Sequence, residues 1–246
     1  MSLRTRTSRR RPQNLRAVVT DVDGTITDRD RRLSVLALRA IRSLDARGIP
    51  VVFATGNVLP IMVGLQRFLG IRTPLVAENG GLVYFDESKI VRLARKGPAL
   101  RAYRDLRRQL PVRRLFTDRW RETEVALEPN VDPEDVARRL RGYPLRVEYT
   151  GFAIHLFEPT AGKEPAVRLA LEPYGFSLAD CLVAGDGDND VGMLRRAGVG
   201  VSFPDASERA RQAATYVTRS RHGEGFVEAL KHFGLLPSSF PSHDSG

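Results

Sequence analysis

The segment Asp21-Val22-Asp23-Gly24-Thr25 places two carboxylates two residues apart, directly after a short apolar run. Such a pair can supply a nucleophile and a general acid/base from one loop. Its hard oxygens also suit Mg²⁺. Gly24 permits the positive φ of a turn that aims both side chains at one cavity. The plainer reading of the same residues is an Asp-Gly turn with capping aspartates. Further along, Gly185-Asp186-Gly187-Asp188-Asn189-Asp190 gathers three more acids. Packed together, they repel one another unless a cation sits among them. An EF-hand loop counted from Asp186 needs a Glu at the position held by Ala197, so that reading is discarded. Thr55-Gly56-Asn57 offers a hydroxyl and free N–H groups ahead of a helix, which is either an oxyanion site or a helix cap. Lys163, one of four lysines, opens a helical run where a cation can neutralise charge developing on a transferred group. Arg168 competes for that role but lies inside the helix.

These residues need elements to bring them together. Ala17 to Thr20 reads as a buried strand ending at Asp21, and Ile49 to Ala54 as another ending at Thr55. Pro74 to Ala77 and Cys181 to Ala184 read likewise, the latter ending at Gly185-Asp186. Helices are predicted over 34–47, capped by Ser34 and closed by Gly48, and over 58–69, stopped by Gly70. Further helices fall at 163–174, 188–197, 205–214 and 224–233, with strands at 198–202 and 215–218. Alternation of strand and helix predicts an α/β fold, a Rossmann-like doubly wound parallel sheet. Ligands then sit at the carboxyl ends of the strands, where the three motifs converge. Between 86 and 159 the pattern changes to a small α+β insert, with helices near 97–110 and 133–141 and strands at 122–128, 145–149 and 152–157. The expected domains are a basic tail 1–14, a catalytic core 15–85 and 160–236, the insert 86–159 and a loose tail 237–246.

Asp21–Thr25 resembles the first motif of the haloacid dehalogenase (HAD) superfamily phosphatases. Thr55-Gly56-Asn57 resembles the second motif, Lys163 stands where the third falls, and Gly185–Asp190 resembles the fourth, G-D-x-x-N-D. The resemblance implies that Asp21 attacks phosphorus and becomes an aspartyl phosphate. It implies that Asp23 protonates the leaving group and then activates water. It assigns phosphoryl binding to Thr55, Gly56, Asn57 and Lys163, and Mg²⁺ binding to Asp21, Asp186, Asp190 and the carbonyl of Asp23. Asn189 then holds Thr25 or the phosphate surroundings, Asp188 faces solvent, and Asp21 is expected to have a depressed pKa beside these cations.

The insert is similar to the C2-type cap that sets specificity in this superfamily. Over about residues 15–233 the chain resembles most closely the archaeal phosphoglycolate phosphatases. The marks are Ile26-Thr27-Asp28, Gly56-Asn57-Val58, Glu78-Asn79-Gly80-Gly81, Thr117-Asp118-Arg119-Trp120-Arg121-Glu122 and Asp132-Pro133-Glu134-Asp135-Val136. The implied reaction is hydrolysis of 2-phosphoglycolate, and a carboxylate substrate wants a cationic partner in the cap. Arg119 and Arg121 are the candidates; the alternative makes Trp120 a cap core residue with arginines snorkelling around it. Gly80-Gly81 is expected to turn the chain close to the site, His155 to be structural, and Arg113-Arg114 to be a solvated pair. Sucrose-phosphate and mannosyl-phosphoglycerate type sugar phosphatases share the four motifs and are the alternative, with a phosphomutase behind them.

The net charge of +10 raises a nucleic-acid reading. Six arginines (Arg4, Arg6, Arg9, Arg10, Arg11 and Arg16) fall in the first sixteen residues, which hold no acid, so the remainder carries +4. The basicity is therefore largely that of a polar tail, and nucleic-acid binding is not the expected function. No apolar run approaches the roughly 20 residues of a membrane span. The single cysteine, Cys181, excludes an internal disulfide and suits a reducing cytoplasm. A monomer or homodimer acting on a small phosphorylated metabolite is expected.

Overall fold

The computed structural model describes residues 15–28 and 30–243. The basic segment 1–14 lies outside the described residues. Five parallel strands form the central sheet in the order β11-β10-β9-β1-β2: β1 (Ala17–Thr20), β2 (Val51–Phe53), β9 (Cys181–Ala184), β10 (Val199–Ser202) and β11 (Tyr216–Val217). Strands β1, β2, β9 and β10 are buried at every residue. That is why they read as continuous apolar runs rather than as alternations: helices cover the sheet. Among these helices are α1 (Val35–Ala46), α5 (Lys163–Leu171), α6 (Val191–Arg196), α7 (Glu208–Ala213) and α8 (His222–His232).

The helix signals act where expected. Ser34 Oγ accepts from Ala37 N at 3.2 Å and caps α1. Helix α2 (Leu59–Leu69) stops at Gly70, whose φ of 78° lies in the left-handed region. Beyond α2, β3 (Leu75–Ala77), β4 (Leu82–Asp86) and β5 (Lys89–Arg92) form an antiparallel sheet, and a bridge from Ala54 to Val76 sets β3 beside the end of β2. Strand β5 was not separated from the insert by its sequence pattern. The hydrophobic residues Ile90, Val91 and Leu93 nonetheless pack on the main core.

The insert builds a second layer. Helices α3 (Lys96–Leu106) and α4 (Pro133–Arg139) pack on an antiparallel sheet ordered β6-β8-β7, namely β6 (Glu124–Leu127), β7 (Arg146–Tyr149) and β8 (Ile154–Phe157). Its own core holds Ala102, Leu106, Val125, Leu127, Ile154 and Leu156, separate from the main one. At the other end, the segment after 237 is tied down rather than loose. Lys231 Nζ donates to Phe240 O at 2.7 Å and to Ser242 Oγ at 2.8 Å, and Phe240 packs on the core.

Candidate active site

Strand β1 lies between β2 and β9, where the chain leaves in opposite directions across the sheet. A crevice opens at such a switch point. Asp21 follows β1, and its N–H donates to Ala184 O at 2.9 Å, locking it beside the end of β9. Lys163, the first residue of α5, reaches in from the far side of the cap insertion. Its Nζ donates to Asp21 Oδ1 at 2.6 Å and to Asp190 Oδ1 at 2.8 Å, and both carboxylates and the lysine are buried. Burial alone would lower the Lys163 pKa, but Asp190 and Asp21 overcome it and hold the ammonium above its ordinary range.

Asp190 has no freedom left. Besides Lys163, it accepts from the backbone N–H groups of Asp186 (3.0 Å) and Gly187 (2.9 Å) through Oδ2. It therefore shapes the loop 185–190 while presenting its charge to the crevice. Asp186 accepts from Thr25 Oγ1 at 3.1 Å, which ties the fourth motif to the first. Gly24 is required here on two counts: its φ is 83°, and a Cβ would lie 2.3 Å from Asp186 Oδ2. Asp21, Asp186 and Asp190 bring one oxygen each to within 4.8 Å of the others, an arrangement able to hold a metal ion.

Without the charge of a metal ion, burial pushes the Asp21 carboxyl well above the ordinary range, Lys163 opposes this, and Asp190 and Asp186 add to it. Burial and then Asp190 push Asp186 up to about 6. One lysine does not neutralise three clustered acids away from water. The donor set thus fits a hard divalent cation, whose charge would offset this excess. Asp23 stands apart from the cluster. Its carboxylate accepts from Arg31 Nε at 3.1 Å at the cavity wall.

The Thr55 loop is internally braced. Thr55 Oγ1 accepts from Asn57 N (3.0 Å) and Asn57 Oδ1 from Val58 N (2.9 Å), so Thr55 also does the work of a turn. Of its two expected settings, Asn189 is not on Thr25 but lines the cavity. Its Nδ2 donates to Asn79 Oδ1 at 3.0 Å, while Thr25 is held by Asp186 instead. Asn79 in turn donates to Glu124 Oε2 of the insert at 2.9 Å. Glu78, Asn79 and Gly80 all take positive φ. A Cβ on Gly80 would meet Gly162 O at 2.1 Å, so this turn brings the chain against the residue preceding Lys163.

The insert's arginines separate by role. Arg119 is exposed and its guanidinium stacks on Phe116 and Trp120, with Trp120 43 % exposed rather than a core residue. Arg121 is buried, pairs with Glu124 and donates to Gly56 O at 2.9 Å. It braces the Thr55 loop from behind, and neither Arg119 nor Arg121 lines the cavity above Asp21. His155 is structural as expected, buried between Glu124 Oε1 (3.1 Å) and Thr150 Oγ1 (3.2 Å). Arg114 is not simply solvated: its Nη1 donates to the buried Asp118 at 3.1 Å. Asp188 is exposed as expected, and at the cavity rim it accepts from Arg209 Nη1 at 2.9 Å.

That cavity, of about 590 Å³, has Asp21, Asp23, Lys163 and Asp186 on the core side. The insert contributes the continuous stretch Arg146 to Phe152. Arg146 and Glu148 were missed from the sequence. They sit on a short strand of mixed polarity, and nothing local says which face meets the core.

A family model described as haloacid dehalogenase-like hydrolase matches residues 18–97 and 132–230, more than half of the chain. The chain belongs to the haloacid dehalogenase-like hydrolases. Among the relatives of this HAD chain is the phosphoglycolate phosphatase of Methanothermobacter thermautotrophicus, 37 % identical over 89 % of this chain and 99 % of that protein. The phosphoglycolate phosphatase of Methanopyrus kandleri is 40 % identical over 87 % and 95 %. A crystal structure of a Thermoplasma acidophilum protein superposes with a TM-score of 0.84 at 30 % identity, covering 91 % of this chain and all of that one. The HAD fold is matched again by a sugar phosphatase structure with a TM-score of 0.74 at 20 % identity.

Proposed function

We propose that this chain is a Mg²⁺-dependent phosphomonoester hydrolase acting through Asp21, with 2-phosphoglycolate as its substrate. The observation that carries the reading is Lys163 Nζ bridging Asp21 and Asp190, with Asp186 beside them, at the floor of one cavity. Asp21 and Asp186 are the residues that would hold Mg²⁺ most directly, with the carbonyl of Asp23, while Asp190 acts through its charge. When bound, Mg²⁺ supplies charge neutralisation for the phosphoryl oxygens.

This chain's residues divide the remaining work. Lys163 fixes one oxygen of Asp21 and leaves the other to form the bond to phosphorus in line with the leaving oxygen. The Thr55 hydroxyl and the Gly56 N–H are the groups of this loop that would face the phosphoryl oxygens, because the N–H groups of Thr55, Asn57 and Val58 go to Val76 O, Thr55 Oγ1 and Asn57 Oδ1. Asp23, on the neighbouring turn, gives its proton to the departing alkoxide and later takes one from the water that releases Asp21. Residues 96–157, with their separate core, act as the cap, and the names of the archaeal relatives support the substrate. No helix among the described residues is long and apolar enough to cross a membrane. The proposed setting is the cytoplasm, in keeping with a single, unpaired and buried cysteine, and the proposed state is a monomer or homodimer.

Phosphate release tests the reading. With Mg²⁺, 2-phosphoglycolate should be turned over with kcat/KM at least tenfold above that for sucrose 6-phosphate and mannosyl-phosphoglycerate, and EDTA should stop it. A preference for a sugar phosphate would keep the chemistry and replace the substrate. A second measurement isolates the metal. Saturating Mg²⁺, at about a hundred times its Kd, should stabilise the fold by ~2.7 kcal/mol, a rise of about 5–10 °C in Tm for a chain of this size. Differential scanning fluorimetry of Asp186→Asn should show that rise abolished. An undiminished rise would place the ion elsewhere.

A further inference from the structure

The site floor accounts for the phosphoryl group but leaves the rest of the substrate unheld. 2-Phosphoglycolate carries a carboxylate one carbon from its ester oxygen. A partner for that group must be cationic, must line the cavity and must not be committed to the floor. Lys163 is consumed by Asp21 and Asp190. Arg209 pairs with Asp188 at the rim on the core side and is 67 % exposed, more open to water than Arg146 at 46 %. Arg146, on β7, lines the same cavity from the cap side. A Cβ built on Gly162 would lie 3.8 Å from Arg146 Nη1, which sets the guanidinium beside the residue that precedes Lys163.

Arg146 has a partner, and the pairing is incomplete. Its Nη2 donates to Glu148 Oε1, two residues along the strand and on the same face. Glu148 is only 16 % exposed at its side chain, and its Oε2 is buried with no hydrogen-bond partner. A guanidinium presents five N–H donors in a planar fork, and this contact uses one edge. The Glu148 carboxylate thus engages one Nη of the fork, and Arg146 lines the cavity with its other donors outside that bond. Burial pushes the Glu148 carboxyl above its ordinary range, against the pull of Arg146.

We infer that Arg146 binds the carboxylate of the substrate, and that Glu148 holds the Arg146 fork in place while its own charge opposes a second anion. The inference rests on the phosphomonoester reading above and moves the specificity contact from Arg119 and Arg121 to the strand β7. Arg146 is on this account a binding residue and Glu148 a positioning residue. They change the ratio of acidic to neutral substrate rather than the phosphoryl chemistry.

The test compares 2-phosphoglycolate with ethyl phosphate, which lacks the carboxylate, and reads the ratio of their kcat/KM values with Mg²⁺. Wild type should favour 2-phosphoglycolate. Arg146→Ala should lower the ratio about ten- to hundredfold, chiefly through KM for the acid. Guanidinium ion added to that variant should restore part of the ratio. Arg146→Lys, which keeps the charge without the fork, should fall between, and it serves where the alanine variant fails to fold. Glu148→Gln keeps an acceptor for Arg146 and removes a negative charge, so the ratio should rise several-fold, a sign that mere loss of packing does not produce. A wild-type ratio favouring 2-phosphoglycolate that Arg146→Ala and Arg146→Lys leave unmoved overturns this inference alone. A wild-type ratio that does not favour the acid overturns the substrate reading and the inference with it.

Discussion

Asp21→Asn should lose about 10⁴-fold or more in kcat with no loss of thermal stability. The amide is a poor nucleophile at phosphorus, and no other group at the floor is placed to replace it. The only other carboxylates in the cluster, Asp186 and Asp190, are tied to Thr25 and to two backbone N–H groups. The stability half of the expectation follows from the electrostatics. Asp21 is buried among like charges, and burial, Asp190 and Asp186 together outweigh Lys163 in setting its carboxyl above the ordinary range. An isosteric neutral group removes that repulsion, and Lys163 keeps Asp190 at 2.8 Å. Single-turnover phosphate release and a melting curve on the same preparation check both halves. Residual turnover within tenfold of wild type would remove Asp21 from the nucleophile role. A collapse in Tm would mean that lost activity reports unfolding instead.

The sheet was legible because burial on both faces turns each strand into an unbroken apolar run, and Ala17–Thr20 and Cys181–Ala184 each end at the acid that matters. The cluster was legible for a similar reason: five acids within two short loops at strand ends have few structural explanations. Lys163 was not legible from spacing. It stands 142 residues from Asp21, and its place at the start of a helix, with the family resemblance, singled it out against Arg168. The cap was legible as a change of pattern, but not which of its side chains reach the cavity. Arg119 and Arg121 stood out for flanking the single tryptophan, yet Arg121 pairs with Glu124 and Gly56, and Trp120 lies under Arg119 at the surface. Arg146 looks like any strand arginine, because its meaning depends on how the cap is set over the core, a long-range property. Asn189 shows the same limit at shorter range: its partner Asn79 sits on a left-handed turn that local pattern did not reveal. At Asp21 the cations are visible in the sequence as candidate partners, while the desolvation that opposes them follows only from the burial of the cluster in the fold.

Lys163→Met should damage both function and fold, unlike Asp21→Asn. Methionine matches the length of the stem and removes the only cationic side chain that touches Asp21 and Asp190 among the described residues. Breaking a buried pair from one side costs about 3–5 kcal/mol, because the remaining charge has neither water nor partner. Here two carboxylates are stranded at once, and proton uptake by Asp21, already favoured by burial, holds the cost near the lower end. A loss of about 3 kcal/mol corresponds to a fall of roughly 6–12 °C in Tm at this chain length. Added Mg²⁺ should recover part of that fall, since it brings positive charge to the same oxygens. Turnover should not recover with it. The lost ammonium neutralised charge on the phosphoryl group and fixed one oxygen of Asp21, and removing a single such group lowers kcat by about 10²–10³. Melting curves with and without Mg²⁺, set beside kcat at saturating Mg²⁺, separate the two effects. A variant that melts like wild type without metal would mean that the buried carboxylates are not ionised there, and that Lys163 serves catalysis alone.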